Sequence, residues 1–331
     1  MNVLITGGAG FIGSNLCAFH LKRGDRVVAV DDLSTGRSQN IEALRGESNF
    51  RFIQADLLDW NELNNEVAKA ERIYHLAAVV GMFRVLKEPV EVTSVNVCAT
   101  ERVLEAAVKG GHDPKVVIAS SSSVYGHSNE QLKLHEDVDL VFSPERGGLT
   151  GYALSKLSNE IQARAYHEEY GLRVVIPRLF NSVGPNQSGN YGFVIPRFIN
   201  QAIAGEPLTV FGDGTQIRSF CDVRDTIAAL DTLAAIGDDY EEIRNAEVVN
   251  VGNDREISIL DTAKMVIARS GSTSSIKFIS YDEAYGEHFD HITQRRPVIE
   301  KLERLTGFVP RWSLEQTIDD LLQKKLNNTT Y

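Results

Sequence analysis

Cysteine is scarce in this sequence. Cys17, Cys98 and Cys221 are the only three in 331 residues, widely separated and odd in number. They can form neither a disulfide framework nor a zinc-ligand spacing, and core packing is their expected role. His75 and His291 likewise have no metal-ligand spacing. No apolar stretch is long enough to cross a bilayer. No run of five or more basic residues occurs, and the formal charge is -11, which argues against a nucleic-acid partner. The chain enters a strand-like run directly after Met1, so no secretory leader is expected, and a reducing cytoplasm is the expected compartment. A Gly-Lys-Ser/Thr phosphate loop and a Gly-x-Ser-x-Gly nucleophile elbow are both missing.

What is present begins at the N terminus. Apolar residues make up 43% and charged residues 24%, ordinary for a soluble globular chain long enough for one large domain or two smaller ones. Val3, Leu4 and Ile5 read as a buried parallel strand. Gly7, Gly10 and Gly13 follow with G-x-x-G-x-x-G spacing. Gly7 allows a sharp turn, Gly10 lets backbone amides approach a phosphate, and Gly13 lets the helix opening at Phe11 and Ile12 pack on the strand. The unpaired N–H groups of that helix start suit a pyrophosphate. Asp31 and Asp32 end the next apolar run, where a carboxylate accepts adenosine ribose hydroxyls and repels a 2′-phosphate, so NAD is expected over NADP. A loop through Ser34 and Gly36 would border the adenosine.

The rest of the first half alternates strand and helix. Strands are expected at 26–30, 50–54, 72–76, 115–119 and 172–176, and helices at 11–23, 90–109 and from Tyr152 to about Tyr170. This pattern predicts right-handed crossovers and a doubly wound α/β sheet of the Rossmann type. Asp56 and Leu57 follow the third strand, with Asp56 in reach of the adenine amino group. Leu76, Ala77 and Ala78 end the fourth, where small side chains leave room for the cofactor. Asn96 is an amide inside a helix, an awkward place for one; it is expected among the cofactor-binding residues, either bridging to the active-site backbone or simply exposed. Residues 127–149 have no clear period and read as an excursion over the site. After Pro177 the texture changes. Helices are expected at 195–204, 223–236, 259–268 and 314–326, with strands at 208–211 and 247–251, the second of these returning to the main sheet. The expected division is a cofactor domain at 1–177, completed by about 226–251, and a smaller α/β substrate domain at 178–225 and 252–331.

The chemistry centres on Tyr152 and Lys156. Four residues apart, they share one helix face. A lysine ammonium favours the phenolate and would lower the tyrosine pKa from about 10. The phenolate could then take a hydroxyl proton while the carbon gives hydride to NAD, and the same lysine could hold the nicotinamide ribose. Ser121, in the serine cluster at the carboxyl end of the fifth strand, would hold the reacting oxygen. Asn181, Arg218 and Arg295 are candidate partners for a diphosphate, which suits arginine's fork of donors.

TGGAGFIGSNL at 6–16, HLAA at 75–78, SSSSVYG at 120–126, YALSK at 152–156, PRLFNSVGP at 177–185 and GEPLTVFGDGTQIRSF at 205–220 resemble the extended short-chain dehydrogenase/reductase family, in particular its nucleotide-sugar epimerases, dehydratases and decarboxylases. The resemblance implies tightly held NAD, a nucleotide diphosphate sugar in the second lobe, and a homodimer through helices near 90–109 and 150–170. It puts Asn181 on the sugar phosphates, Arg218 and Arg295 on the diphosphate, a short helix after Gly192 around the base, and Leu302 near a gate for sugar substituents. Decarboxylases of the family usually carry Thr-Ser-Glu-Val-Tyr-Gly and dehydratases Thr-Asp-Glu; here the matching residues are Ser121, Ser122 and Ser123. Without those acids the expected reaction is 4-epimerisation of a UDP-sugar, either glucose/galactose or glucuronate/galacturonate. Ser122, Ser123 and a polar loop near Thr150 could receive a glucuronate carboxylate. The alternatives are UDP-glucuronate decarboxylation and 4,6-dehydration, followed by a non-enzymatic NAD-binding regulator.

Overall fold

A computed structural model describes residues 1–126, 128, 133–142, 147–189, 193–236, 246–285 and 294–329, without the side chains of 147–149 and 327–329. Gly192, His291 and parts of the expected excursion at 127–149 lie outside the described residues. The chain forms β1 (Asn2–Thr6), α1 (Phe11–Lys22), β2 (Arg26–Asp31), β3 (Phe50–Gln54), α2 (Leu63–Val67), β4 (Arg72–His75), α3 (Met82–Lys87), α4 (Pro89–Lys109), β5 (Lys115–Ile118), β6 (Ser120–Ser121), α5 (Gly147–Tyr170) and β7 (Val174–Leu179). There follow β8 (Ser182–Val183), α6 (Val194–Ala204), β9 (Leu208–Phe211), β10 (Ile217–Ser219), β11 (Cys221–Asp222), α7 (Val223–Ala235), β12 (Val248–Val251) and β13 (Glu256–Ser258). The described chain closes with α8 (Ile259–Ser270), β14 (Ile276–Ile279), α9 (Tyr281–Tyr285), β15 (Gln294–Arg295), α10 (Glu300–Thr306) and α11 (Leu314–Thr329).

The main sheet runs β12-β7-β5-β4-β1-β2-β3, with β6 also on β7, and every pairing is parallel. Strand order reverses between β1 and β4, so a crevice opens at their carboxyl ends, where such sheets bind ligands. The strands are apolar on both faces because both are covered. Val3, Ile5, Val27 and Val117 pack with Leu16 of α1 and Leu230 of α7. Leu4, Ile73, Val116 and Ile176 pack with Leu63 of α2, Val103 of α4 and Ala163 of α5. The second lobe has its own core, in which Phe198 of α6, Val210 of β9, Val266 of α8 and Ile318 of α11 are buried together.

Three expectations need correction. β7 runs through Pro177 to Leu179 instead of stopping at 176. On its β5/β6 side β7 pairs through Val174, Val175, Arg178 and Leu179, so Ile176 and the missing N–H of Pro177 fall at the break between β5 and β6. α5 begins at Gly147, so Thr150 is helical and not in a loop. Part of 252–331 belongs with the first lobe: Leu302 and Leu305 of α10, with Phe308, share a cluster with Val3, Ile5 and Leu230. Leu302 is fully buried there and is not among the residues that line the cleft at the carboxyl ends of the strands, so it is not placed to gate a sugar substituent. No described helix is long and apolar enough to cross a membrane.

Candidate active site

The carboxyl ends of β1, β2, β4, β5 and β7 border a cleft of about 500 Å³ that continues into the second lobe. Its first wall is the glycine loop, with Gly7, Gly10, Phe11, Ile12 and Gly13 all lining it. Gly7 has φ of +70°, and a Cβ on Gly13 would lie 2.1 Å from the Gly7 carbonyl oxygen. No side chain fits there, and the start of α1 stays open to a phosphate. Asp31, Asp32, Ser34, Asp56 and Leu57 line the adenosine end. Asp31 is also a brace: it accepts from the Ala9 amide at 3.0 Å and the Leu33 amide at 2.8 Å. Burial raises its pKa, with the backbone hydrogen bonds opposing. Gly36 lines no part of the cleft; it packs so closely on Asp31 that a Cβ would meet the carboxylate at 2.5 Å. The glycine cradle with a carboxylate at the end of β2 fits a dinucleotide.

Leu76, Ala77, Ala78, Ser121, Ser122, Ser123, Tyr152 and Lys156 line the middle of the cleft. Ser121 is extended and leads into a short 3₁₀ turn, its oxygen accepting from the Ser123 amide at 3.1 Å. Tyr152 lines the cleft together with Ser121. Burial raises the pKa of its phenol, while the Ser121 hydroxyl and the Arg295 charge work the other way. The expected lowering by Lys156 is replaced here by that of Arg295, because the lysine is turned to the strand. Its Nζ donates to the Ala119 carbonyl at 2.8 Å. Burial pulls Lys156 down to about 8, opposed by the Glu160 charge.

Asn96 is not a lining residue. Its amide is buried behind the wall, donating to the Val79 carbonyl and Ser155 Oγ and accepting from the Val79 amide at 2.7 Å. It holds the backbone after β4 by bridging to Val79, and because it is buried behind the wall it is not the cofactor-binding residue that the sequence suggested. Beside it His75 is clamped between Thr6 and Thr100 at 2.8 and 3.0 Å, and is pushed down to about 3 by burial and by Lys156.

Asn181, Arg218 and Arg295 line the second-lobe end, with Val194, Ile195 and Pro196 of the first turn of α6. Arg218 and Arg295 are register partners in adjacent strands β10 and β15, which brings two distant sequence positions together. Thr150 does not line the cleft. Sequence reading missed Arg37, Asn40, Asn186 and Gln187 in the lining. Asn40 donates to the Ala9 carbonyl, Asn186 to Ser14 Oγ, and Arg37 to the Asn186 carbonyl. Together these tie the loop after β8 across the glycine loop. The signal was present in the NSVGP stretch, but nothing local says that it folds back onto α1.

A family model described as "NAD dependent epimerase/dehydratase family" matches residues 3–252. The chain is 36% identical over 321 residues to UDP-N-acetyl-alpha-D-glucosaminuronate decarboxylase of Bacillus cytotoxicus, covering 97% of this chain and 96% of that protein. It is 33% identical to UDP-glucuronic acid decarboxylase 1 of Danio rerio, over 97% of this chain and 72% of that one. Among solved structures it is similar to UDP-glucuronic acid 4-epimerase from Bacillus cereus in complex with UDP-glucuronic acid and NAD. The TM-score is 0.84 and identity 30%, with coverage of 98% of this chain and 100% of that chain.

Proposed function

Since the chain belongs to the NAD dependent epimerase/dehydratase family, we propose that it is a 4-epimerase of UDP-hexuronates, interconverting UDP-glucuronate and UDP-galacturonate. One observation carries this reading. Among the described residues of the cleft the only carboxylates are Asp31, Asp32 and Asp56, all at the adenosine end. After oxidation, dehydration needs a base for the C5 proton and an acid for the leaving hydroxyl, and decarboxylation needs an acid to protonate the carbanion left by CO₂. Beside Tyr152 the matching positions are the hydroxyls of Ser121, Ser122 and Ser123, with Arg295 Nη1 at 3.5 Å from Ser123 Oγ. That arrangement suits holding a carboxylate rather than protonating a carbanion.

NAD, when bound by the glycine loop and the β2 carboxylates, supplies the hydride acceptor and donor. Tyr152 takes the proton of the C4 hydroxyl and later returns one. Ser121 steadies the oxygen as it becomes a carbonyl. Lys156 carries a positive charge that steadies the site electrostatically, and Arg218 and Arg295 bind the diphosphate. A 4-keto hexuronate is a β-keto acid and loses CO₂ readily, so Ser122 and Ser123 would also restrain its carboxylate. The proposal includes a homodimer. α4 and α5 lie side by side and leave Val90, Leu154, Ile161 and Tyr170 exposed, an apolar set that a second copy would cover.

The decarboxylase names of the two relatives favour a second reading, loss of CO₂ to give a UDP-pentose. NMR of purified protein with UDP-glucuronate decides between them. Reversible appearance of UDP-galacturonate with six carbons retained supports epimerisation. A UDP-pentose with CO₂ overturns it.

A further inference from the structure

The buried acid Glu160 has no role in the chemistry above, yet it stands one helical turn from Lys156 and on the same face of α5. Lys156 Nζ holds the Ala119 carbonyl at 2.8 Å. The next residue, Ser120, donates from Oγ to Glu160 Oε1 at 2.5 Å. Two successive residues of the strand end are therefore held by two successive turns of one helix, immediately before Ser121. Glu160 is itself fixed by Arg178 of β7, whose Nε and Nη2 donate to its two oxygens at 2.9 and 2.8 Å. Arg178 is also the register partner of Ser120 across β6 and β7, and it lies over the Tyr125 ring at 4.7 Å. Side chains of both partners are about 5% exposed.

We propose that Glu160 is a positioning residue for substrate oxidation: with Lys156 it clamps the end of β5 to α5 and thereby sets Ser121 against Tyr152. Its charge has a second consequence, since it faces the Lys156 ammonium and favours the protonated form. The other titratable groups around Lys156 are Tyr152 on its own helix, His75 of β4, held neutral by burial, and Arg178, paired with Glu160. The α4 side chains bonded there, Asn96 and Thr100, are neutral. The proposal rests on Tyr152, Lys156 and Ser121 as the reacting set and not on which product leaves.

The test uses Glu160→Gln and Ser120→Ala in the full chain. Two readouts are taken: reduction of bound NAD after mixing with UDP-glucuronate, and the titration of Lys156 in the NAD-bound protein by NMR of the isotope-labelled lysine side chain. Glu160→Gln is expected to slow reduction roughly tenfold to a hundredfold, with KM within about twofold, and to move the Lys156 titration to lower pH. Ser120→Ala keeps the Glu160–Arg178 pair, so it is expected to slow reduction by a smaller factor and leave the lysine titration in place. Slower reduction by Glu160→Gln with an unmoved lysine titration would overturn the electrostatic part. Glu160→Gln strands the buried Arg178 charge; if that variant fails to fold, Ser120→Ala decides, and a wild-type rate there overturns the clamp. A pentose product would overturn epimerisation alone, because neither readout depends on product identity.

Discussion

Tyr152 has two influences set against each other, burial raising its pKa and the Ser121 hydroxyl with the Arg295 charge lowering it. The hydroxyl is the proton carrier in the proposed reaction, so Tyr152→Phe is expected to reduce kcat by about 10²- to 10⁴-fold, with NAD binding and the melting curve close to wild type; calorimetry and steady-state rates check this. Arg295→Gln removes a positive charge that favours phenolate. The Tyr152 pKa then rises, and the acid limb of kcat at saturating substrate moves to higher pH. A pH-rate profile with an unmoved limb would show that Arg295 serves binding alone.

Among the elements, α10 had no counterpart in the sequence reading. Its seven residues are too short for a persuasive period, and Leu302 had no local cue that it packs on the main sheet with Val3 and Leu230. Leu302→Ala is accordingly expected to destabilise the protein by about 2–5 kcal/mol through a core cavity, with no change in sugar preference; denaturant unfolding and substrate competition test both halves. α4 and α5 were legible because each is long, and their pairing on one face of the sheet follows from the crossovers. The early start of α5 was not legible, since glycines at its first positions read as loop.

At the scale of the whole molecule, buried imidazoles tie stability to pH. His75 is pushed down to about 3 by burial and Lys156, and His20 is lowered first by burial. A histidine with a lowered folded pKa is protonated preferentially in the unfolded chain, so stability falls as pH drops below the unfolded value of about 6.5, by up to about 1.4 kcal/mol per pH unit for each such group. For His75 the window closes near its folded value. Thermal unfolding from pH 7 to pH 4 is expected to show this slope, and His75→Gln to flatten it. The proposed dimer is a second molecular property: Ile161→Glu, at a position 60% exposed, is expected to shift sedimentation from dimer to monomer without unfolding the protomer.

Local spacing alone was enough for the glycine loop, the alternation of strands and helices, and the Tyr152–Lys156 face, because steric demands on a turn and the period of a helix act within a few residues. The family likeness was carried by the same stretches. Tertiary structure decided what depends on residues distant in sequence. It turned Lys156 to the Ala119 carbonyl, set Arg295 beside Arg218 through a β10–β15 register, and made Asn96 a buried support. It drew Asn186 back onto Ser14 and buried Leu302 under the wrong lobe for a gate. Each of these outcomes follows from long-range packing and hydrogen bonding, which no window of sequence contains.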